Sequence, residues 1–298
     1  MVRPWHGFFA MAVLVSLSSG CADVKRSVSD AGAAIDELLG VEPAYRIETP
    51  SAESIAEGEA LFDQAEVARA QGNLEAAAPL YNRAAELGSP RALTFLGEIY
   101  FYGLGVARDT EVGLGYFAQA AAQGHAPAEY QLGEAFMNGD GVARDRAWAV
   151  RWYGKAAWQG YPPALYAYGI VYAAGLGLPA DEVEATVWIT RAAEAGHTQA
   201  AEMLPLLTLQ LTPAQLAAAR TKAADFAPAT SPVFADAPTV LFVQLRLHEQ
   251  GYDPGPADGL MGPRTSAAIR KAERSERLDI TGKVTPVLVE RLFEVGQG

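Results

Sequence analysis

The stretch HAPAEYQLGEAFMNGDGVARDRAWAVRWYGKAAWQG, residues 125–160, decides the fold, because near copies of it stand 36 residues before and after. The shared positions carry small or turn-forming residues, and each set keeps one phase. The sets are Gly103, Gly139 and Gly175; Ala92, Ala128, Ala164 and Ala200; Gly97, Gly133 and Gly169; Gly105, Gly141 and Gly177; Asp109, Asp145 and Asp181; and Gly88, Gly124, Gly160 and Gly196. A fixed period of this length is typical of stacked supersecondary units, so the middle of the chain is predicted to be a repeat array.

Each repeat is predicted to run helix, loop, helix, loop. In the first complete copy, residues 92–101 place apolar side chains at helical spacing, and Gly103 ends that helix. Asp109 is predicted to cap the second helix, which stops at Gly124. Gly97 falls inside the first helix, where glycine costs about 1 kcal/mol relative to alanine. Because a glycine recurs at that phase, the neighbouring helix is predicted to pass too close for a side chain.

The repeat resembles the Sel-one-like repeat, a relative of the tetratricopeptide repeat. The residues that carry the resemblance are Ala128, Leu132-Gly133, Phe136, Gly139, Gly141-Val142, Asp145, Trp152, Lys155-Ala156-Ala157 and Gly160. It covers three units over residues 89–196. The resemblance implies an all-α fold, an α/α solenoid of helical hairpin repeats, and a role as an adaptor that binds other proteins.

The segments on either side of the three units are related to them but irregular. Residues 52–88 have Leu61 where the repeat would place its helical glycine, and Gln71-Gly72-Asn73 is typical of a tetratricopeptide turn. We predict a tetratricopeptide-like N-terminal hairpin there. Residues 197–226 are predicted to be capping helices, with Thr212 as N-cap and Pro213 as first helical residue.

The N-terminus, residues 1–21, has the pattern of an export signal. An apolar run over residues 8–17 is too short to span a bilayer and is followed by small residues and Cys21. It resembles a bacterial lipoprotein signal, although Ser18 replaces the usual leucine; ordinary cleavage after Ala22 is the alternative. We favour lipidation of Cys21, a linker over residues 22–51, and a periplasmic location with a lipid anchor in the outer membrane.

The C-terminal part is predicted to be a separate module. Residues 227–237 form a Pro-bearing linker, and residues 238–298 resemble the small three-helix peptidoglycan-binding domain. The residues that carry this resemblance are Gln244, Leu247, Gly251-Tyr252, Asp258-Gly259, Gly262, Thr265 and Ala268-Ile269. The usual Phe-Gln pair of the second helix is Ala272-Glu273 here, which predicts a weaker core or a weaker groove wall.

Several residues are weighed as binding sites. Peptidoglycan contact is assigned to Tyr252 and Arg264, and also to Asp258, Gly259 and Thr265, for which a structural role in a turn and a helix start is favoured. Two tryptophans that depart from the repeat, Trp148 and Trp158, are candidates for a protein-binding surface. The aromatics in repeat phase are expected in the core; they are Tyr116, Trp152 and Trp188.

Charge and composition exclude some functions and leave others open. The net charge of −12 argues against a nucleic-acid partner. His125 and His197 stand two periods apart, so no metal site is predicted, and no cofactor or catalytic constellation is found. The predicted function is a non-enzymatic envelope adaptor whose partners are a protein, peptidoglycan and, through lipid, the membrane. The alternatives are a regulatory or targeting subunit of a cell-wall hydrolase, or a protein-only adaptor with a degenerate wall module.

Overall fold

A computed structural model describes residues 50–226 and 237–296. Within these ranges the chain forms thirteen α-helices and no β-strand. They fall into two compact units, divided between Ala128 and Glu129. The predicted all-α class is confirmed, and the helices form consecutive hairpins of a solenoid followed by a helical module.

The first unit contains four complete helices, which are α1 (Ala52–Ala70), α2 (Leu74–Glu86), α3 (Pro90–Tyr102) and α4 (Thr110–Ala122). The division between the units falls within α5 (Ala126–Asn138). The second unit holds the rest of the solenoid and the module. Its helices are α6 (Arg146–Trp158), α7 (Pro162–Ala174), α8 (Glu182–Glu194), α9 (Thr198–Thr208), α10 (Pro213–Ala224), α11 (Ala237–Glu249), α12 (Pro263–Ser275) and α13 (Pro286–Gly296).

The recurring glycine of the first helix lies against a bulky side chain of the second helix in every copy. A Cβ atom added at Gly97 would lie 2.6 Å from the ring of Phe117, and one added at Gly133 would lie 2.5 Å from the ring of Tyr153. At Gly169 the corresponding distance, to the Ile189 side chain, is 2.7 Å. The prediction that these glycines permit close helix packing is therefore confirmed.

The capping residues also repeat. Asp109 and Asp145 are N-caps whose carboxylates accept hydrogen bonds from Val112 N at 3.1 Å and Trp148 N at 3.0 Å. Asp181 does the same for Glu184 N at 2.9 Å. These bonds satisfy backbone donors that the first helical turn leaves unpaired, so each second helix begins at the same phase.

The first hairpin keeps the close approach but moves it by three residues. Leu61 stands at the projected glycine position, and Gly58 takes over the contact, since a Cβ atom there would lie 2.8 Å from the Ala84 carbonyl oxygen. Gly72 has a φ of +78° and Asn73 caps α2, which gives the predicted turn. The irregular copy is therefore still a packed helical hairpin.

The last two solenoid helices follow the third repeat. Thr212 and Gln215 form a capping box at the start of α10, and Pro213 is its first residue. Ala219 and Ala223 of α10 pack against Val187 of α8. Helix α10 therefore covers a face of the last repeat.

The module begins with a helix that is buried on every side. All ten residues from Pro238 to Leu247 in α11 are buried. A three-helix module alone could cover only one side of α11. The other side is covered by α6 of the solenoid, so the C-terminal module packs on the repeats.

Candidate functional site

A buried glutamine organises the first motif turn of the module. Gln244 is fully buried, and its Oε1 accepts hydrogen bonds from Asp258 N at 3.1 Å and Gly259 N at 2.8 Å. Its Nε2 donates to Asp258 Oδ1 at 3.0 Å and to the Leu260 carbonyl at 3.1 Å. Gly259 has a φ of +73°, which L side chains rarely adopt. The Asp258-Gly259 pair is therefore a turn held from inside.

A second loop is fixed to the same end of the module. Thr265 is buried, and its hydroxyl donates to the Pro254 carbonyl at 2.8 Å. The His248 ring nitrogen Nε2 lies 2.7 Å from the Gly255 carbonyl oxygen. These bonds hold the loop of residues 252–255 against the start of α12.

The structure separates the five predicted peptidoglycan residues into two groups. Gly259 and Thr265 are buried, and the Gly259 N–H and the Thr265 hydroxyl form hydrogen bonds inside the module. Asp258 is exposed, but its Oδ1 already accepts bonds from Gln244 and from Leu260 N. Their spacing in the sequence reflects the turn, and the structural role favoured for all three is what the hydrogen bonds support.

The other two predicted residues lie on the surface. The Arg264 guanidinium forms an ion pair with Asp253, and the two side chains are 64% and 68% exposed. The hydrogen bond from Arg264 lowers the pKa of the Asp253 carboxyl below its usual value. Tyr252 is half-buried, while Leu260 and Met261 are 66% and 42% exposed. We call this surface the loop patch, which comprises Tyr252, Asp253, Leu260, Met261 and Arg264.

The second half of the module contains a similar turn, in which the donor and acceptor side chains are exchanged. Glu273 is buried, and its Oε2 accepts hydrogen bonds from Thr281 N and Gly282 N, both at 2.8 Å. Its Oε1 accepts from the Thr281 hydroxyl at 2.5 Å. In the first half an amide donates to a carboxylate; here a hydroxyl donates to a carboxylate. Glu273 thus holds the turn in place. Ala272 puts a small side chain at the position where the family usually has a phenylalanine.

Aromatic side chains fill the contact between the module and α6. The Trp148 ring lies 4.8 Å from Phe242 of α11 and 4.7 Å from Phe293 of α13, measured between centroids. Phe293 also meets Phe136 of α5 edge to face at 5.9 Å. Such pairs contribute about 0.5–1.5 kcal/mol each beyond the burial of their area.

Charged groups complete the contact. Arg151 donates to the Thr239 hydroxyl at 3.1 Å, and its guanidinium lies 4.6 Å from the Trp148 ring centroid. Arg246 of α11 forms a buried ion pair with Asp145, the N-cap of α6. Removing one partner of a buried pair leaves an uncompensated charge, which costs about 3–5 kcal/mol. The repeat cap therefore also fixes the module in place.

The two candidate tryptophans have different surroundings from those expected. Trp148 is only 3% exposed, so the expectation of an exposed Trp148 is wrong, because the module of the same chain covers it. Trp158 is half-buried and packs against Trp188 and Phe226 at 5.6 and 5.5 Å. The in-phase aromatics are in the core as predicted; they are Tyr116, Trp152 and Trp188.

The docking residues were missed as a group, although the sequence contains a signal for them. Among the positions of α6 that differ from the corresponding positions of the other copies, three contact the module. Trp148 replaces Val112 and Glu184, Arg151 replaces Gly115 and Val187, and Gly154 replaces Ala118 and Thr190. A Cβ atom at Gly154 would lie 2.8 Å from Pro238. Departures from a repeat on one helix face mark the docked surface.

The remaining predicted features are outside this site. Cys21 and the signal lie outside the described residues, as do residues 227–236 of the linker. No helix within 50–226 or 237–296 is long and apolar enough to span a bilayer. Among these residues no group of three or more His, Cys, Asp or Glu could hold a metal ion. His125 Nδ1 lies 2.8 Å from the Thr94 hydroxyl, and His197 caps α9.

The fold defines a helical-repeat protein that carries a small helical binding module. The Sel1 repeat family matches residues 61–89, 90–125, 126–161 and 162–197, so the irregular first hairpin counts as a fourth copy. The family described as putative peptidoglycan binding domain matches residues 236–292. The chain is therefore a Sel1 repeat protein with a C-terminal domain of the peptidoglycan-binding family. These families indicate protein–protein interaction and peptidoglycan binding.

Solved structures give similar matches. The chain is 27% identical to a protective antigen present in uropathogenic Escherichia coli strains that displays an SLR fold, with a TM-score of 0.52. The match covers 67% of this chain and 48% of the antigen, so the chain spans about half the length of that relative. A Sel1 repeat protein from Oxalobacter formigenes is 30% identical over 42% of this chain and 94% of its own, with a TM-score of 0.40. A search of curated proteins finds no match.

Proposed function

We propose that this protein is a non-catalytic adaptor of the bacterial cell envelope, in which the solenoid binds a protein partner and the C-terminal domain binds peptidoglycan. One observation carries the proposal. The domain docks on α6 through α11 and Phe293, while the loop patch stays exposed. The loop patch is thereby held at a fixed orientation to the repeats of the same unit.

Docking favours an adaptor for an energetic reason. Ordering a flexible domain on binding costs free energy, and a domain that is already held in place avoids that cost. Several weak contacts in one chain also act together, because the first raises the effective concentration of the others. A lipid anchor at Cys21 in the outer membrane, with the chain in the periplasm, adds a third contact to this proposal.

Wall binding is tested with the whole chain, because α11 depends on the solenoid for cover. Purified protein is sedimented with insoluble peptidoglycan, and an unrelated periplasmic protein of similar size serves as the control. We expect retention of the full chain well above that of the control. Equal retention of the two proteins would defeat the wall-binding role.

The other parts of the proposal have separate tests. Crosslinking in cells followed by mass spectrometry identifies the protein partner, and no enriched partner over an unrelated periplasmic bait counts against the adaptor role. The intact mass of membrane-extracted protein reports acylation of Cys21, and an unmodified N-terminus beyond that residue removes the anchor. Zymography on cell wall checks for hydrolysis, where a clearing band that follows the pure protein contradicts a non-catalytic role.

A further inference from the structure

We propose that the loop patch recognises the peptide stems of peptidoglycan and not its sugar strands, an inference that rests on the proposed wall-binding function. Three features of the module support this choice of ligand. They are the placement of its aromatic side chains, the chemistry of the exposed loops, and the rigidity of those loops.

The aromatic side chains of the module are mostly unavailable to a sugar. Sugar rings are bound by stacking on a flat aromatic face that is open to solvent. In residues 237–296 the aromatics are Phe242, Tyr252 and Phe293. Both phenylalanines are buried, and both lie against Trp148 of the solenoid. Only the half-buried Tyr252 is left, which is a small platform for a polysaccharide.

The loop patch instead offers aliphatic surface beside a pair of opposite charges. Leu260 and Met261 are exposed in the loop that leads into α12, and Arg264 follows in its first turn. The ion pair between Arg264 and Asp253 is open to water, so it contributes little stability and can exchange partners. A guanidinium binds a carboxylate through two parallel hydrogen bonds, and a carboxylate binds an ammonium group.

A peptide stem presents the complementary groups. It carries the methyl groups of alanine residues, free carboxylates and, in walls that contain a diamino acid, an ammonium group beside a carboxylate. The sugar strand between the stems is rich in hydroxyl and acetamido groups and carries no ammonium group. Charge and apolar surface therefore both match the stem better than the strand.

The loops are fixed before a ligand arrives. Gln244 holds the turn that precedes Leu260, and Thr265 holds the loop that contains Asp253. Gly255 has a φ of +90°, and a Cβ atom there would lie 3.5 Å from Arg264 Cβ, so the arginine stem runs along this loop. Little conformational entropy is lost when such a site binds a short peptide.

The test measures retention of the full chain on intact insoluble peptidoglycan in the presence of two soluble competitors. They are the stem peptides that an amidase releases from the wall and the glycan strands that remain, which are soluble because the cross-links run through the stems. We expect the stem peptides to compete with the intact wall, and the stripped glycan strands to compete at least tenfold less well. Arg264→Gln should weaken retention about tenfold or more, since it removes a charge-assisted contact. Arg274→Gln, an exposed arginine on the same helix, should leave retention unchanged.

Equal competition by the stripped glycan strands and by the stem peptides overturns the stem assignment while the wall-binding function stands. An equal loss in Arg264→Gln and Arg274→Gln overturns the loop patch as the site and points to general charge attraction. No retention on the intact wall overturns the proposed function and this inference together. Both variants change exposed side chains, so thermal unfolding should confirm that each is folded.

Discussion

Replacing Trp148 with alanine should release the C-terminal domain from the solenoid. The side chain is almost fully buried, and burial of a ring with an area of about 200 Å² contributes about 5 kcal/mol at 25 cal/mol per Å². Tryptophan-to-alanine changes in protein cores cost about 3–5 kcal/mol. The contacts with Phe242 and Phe293 support a value of about 4 kcal/mol, inside that range.

Urea denaturation and amide hydrogen exchange measure the effect separately. We expect a loss of about 4 kcal/mol in the free energy of unfolding, and faster exchange in α11 and α13 than in α7 and α8. Exchange should concentrate there because the module loses its cover, while α7 and α8 keep the contacts that they make with each other.

Trp158→Ala is the matched control, because Trp158 lies on the same helix but packs against Trp188 and Phe226. It should destabilise the last repeat without selectively exposing α11. The reasoning is refuted if α11 stays protected in Trp148→Ala, or if both variants expose it to the same degree.

Further predictions concern the module turn, a buried histidine and a repeat glycine. Thr281→Asp places a second carboxylate against Glu273 and should lower the free energy of unfolding by about 3 kcal/mol. Adding Glu273→Gln restores an amide that donates to the new carboxylate and should recover most of that loss. A double-mutant cycle that shows no coupling between the two positions contradicts this interpretation of the hydrogen bond. Burial lowers the pKa of His125 below 6.5 in the folded protein. As the pH falls, His125 is therefore protonated in the unfolded chain before it is protonated in the folded chain. Stability should be complete above about pH 6.5 and fall as pH drops below it, and His125→Asn should flatten this dependence in urea titrations at several pH values. Gly133→Ala forces a Cβ atom into the ring of Tyr153 and should lower the unfolding free energy by about 1–3 kcal/mol; an unchanged urea midpoint would show that the ring moves freely.

The solenoid could be predicted because its determinants are local and periodic. A glycine at a fixed phase marks a close approach in each hairpin, and an aspartate at a fixed phase marks each helix start. Both depend on contacts within one repeat, so spacing along the chain is enough to locate them. Thr212 and Pro213 likewise act within a single helical turn. The position of the module depends on the pair Asp145 and Arg246, which are 101 residues apart, and no periodicity reports it.

The candidate site could be predicted less well for a related reason. A motif such as Asp258-Gly259 has the same spacing whether its polar atoms face a ligand or a buried glutamine. The structure shows the latter, since Gln244 occupies those atoms. The Ala272-Glu273 pair predicts a loss at the aromatic position, but the motif does not show what Glu273 binds. Thr281, eight residues later, supplies a donor where the first half of the module supplies an acceptor.

Because Gly154 has no side chain, α6 has room for the module that the corresponding helices of the neighbouring copies lack. The corresponding positions of the neighbouring copies hold Ala118 and Thr190, so of these three helices α6 alone has a docking site with room for Pro238. Tandem duplication of residues 125–160, which is the ordinary way in which such arrays lengthen, would copy this docking site together with Trp148 and Arg151. The short segment after Phe226 would then decide which of the two docking sites the module occupies. The unoccupied site would be able to bind the C-terminal domain of another chain.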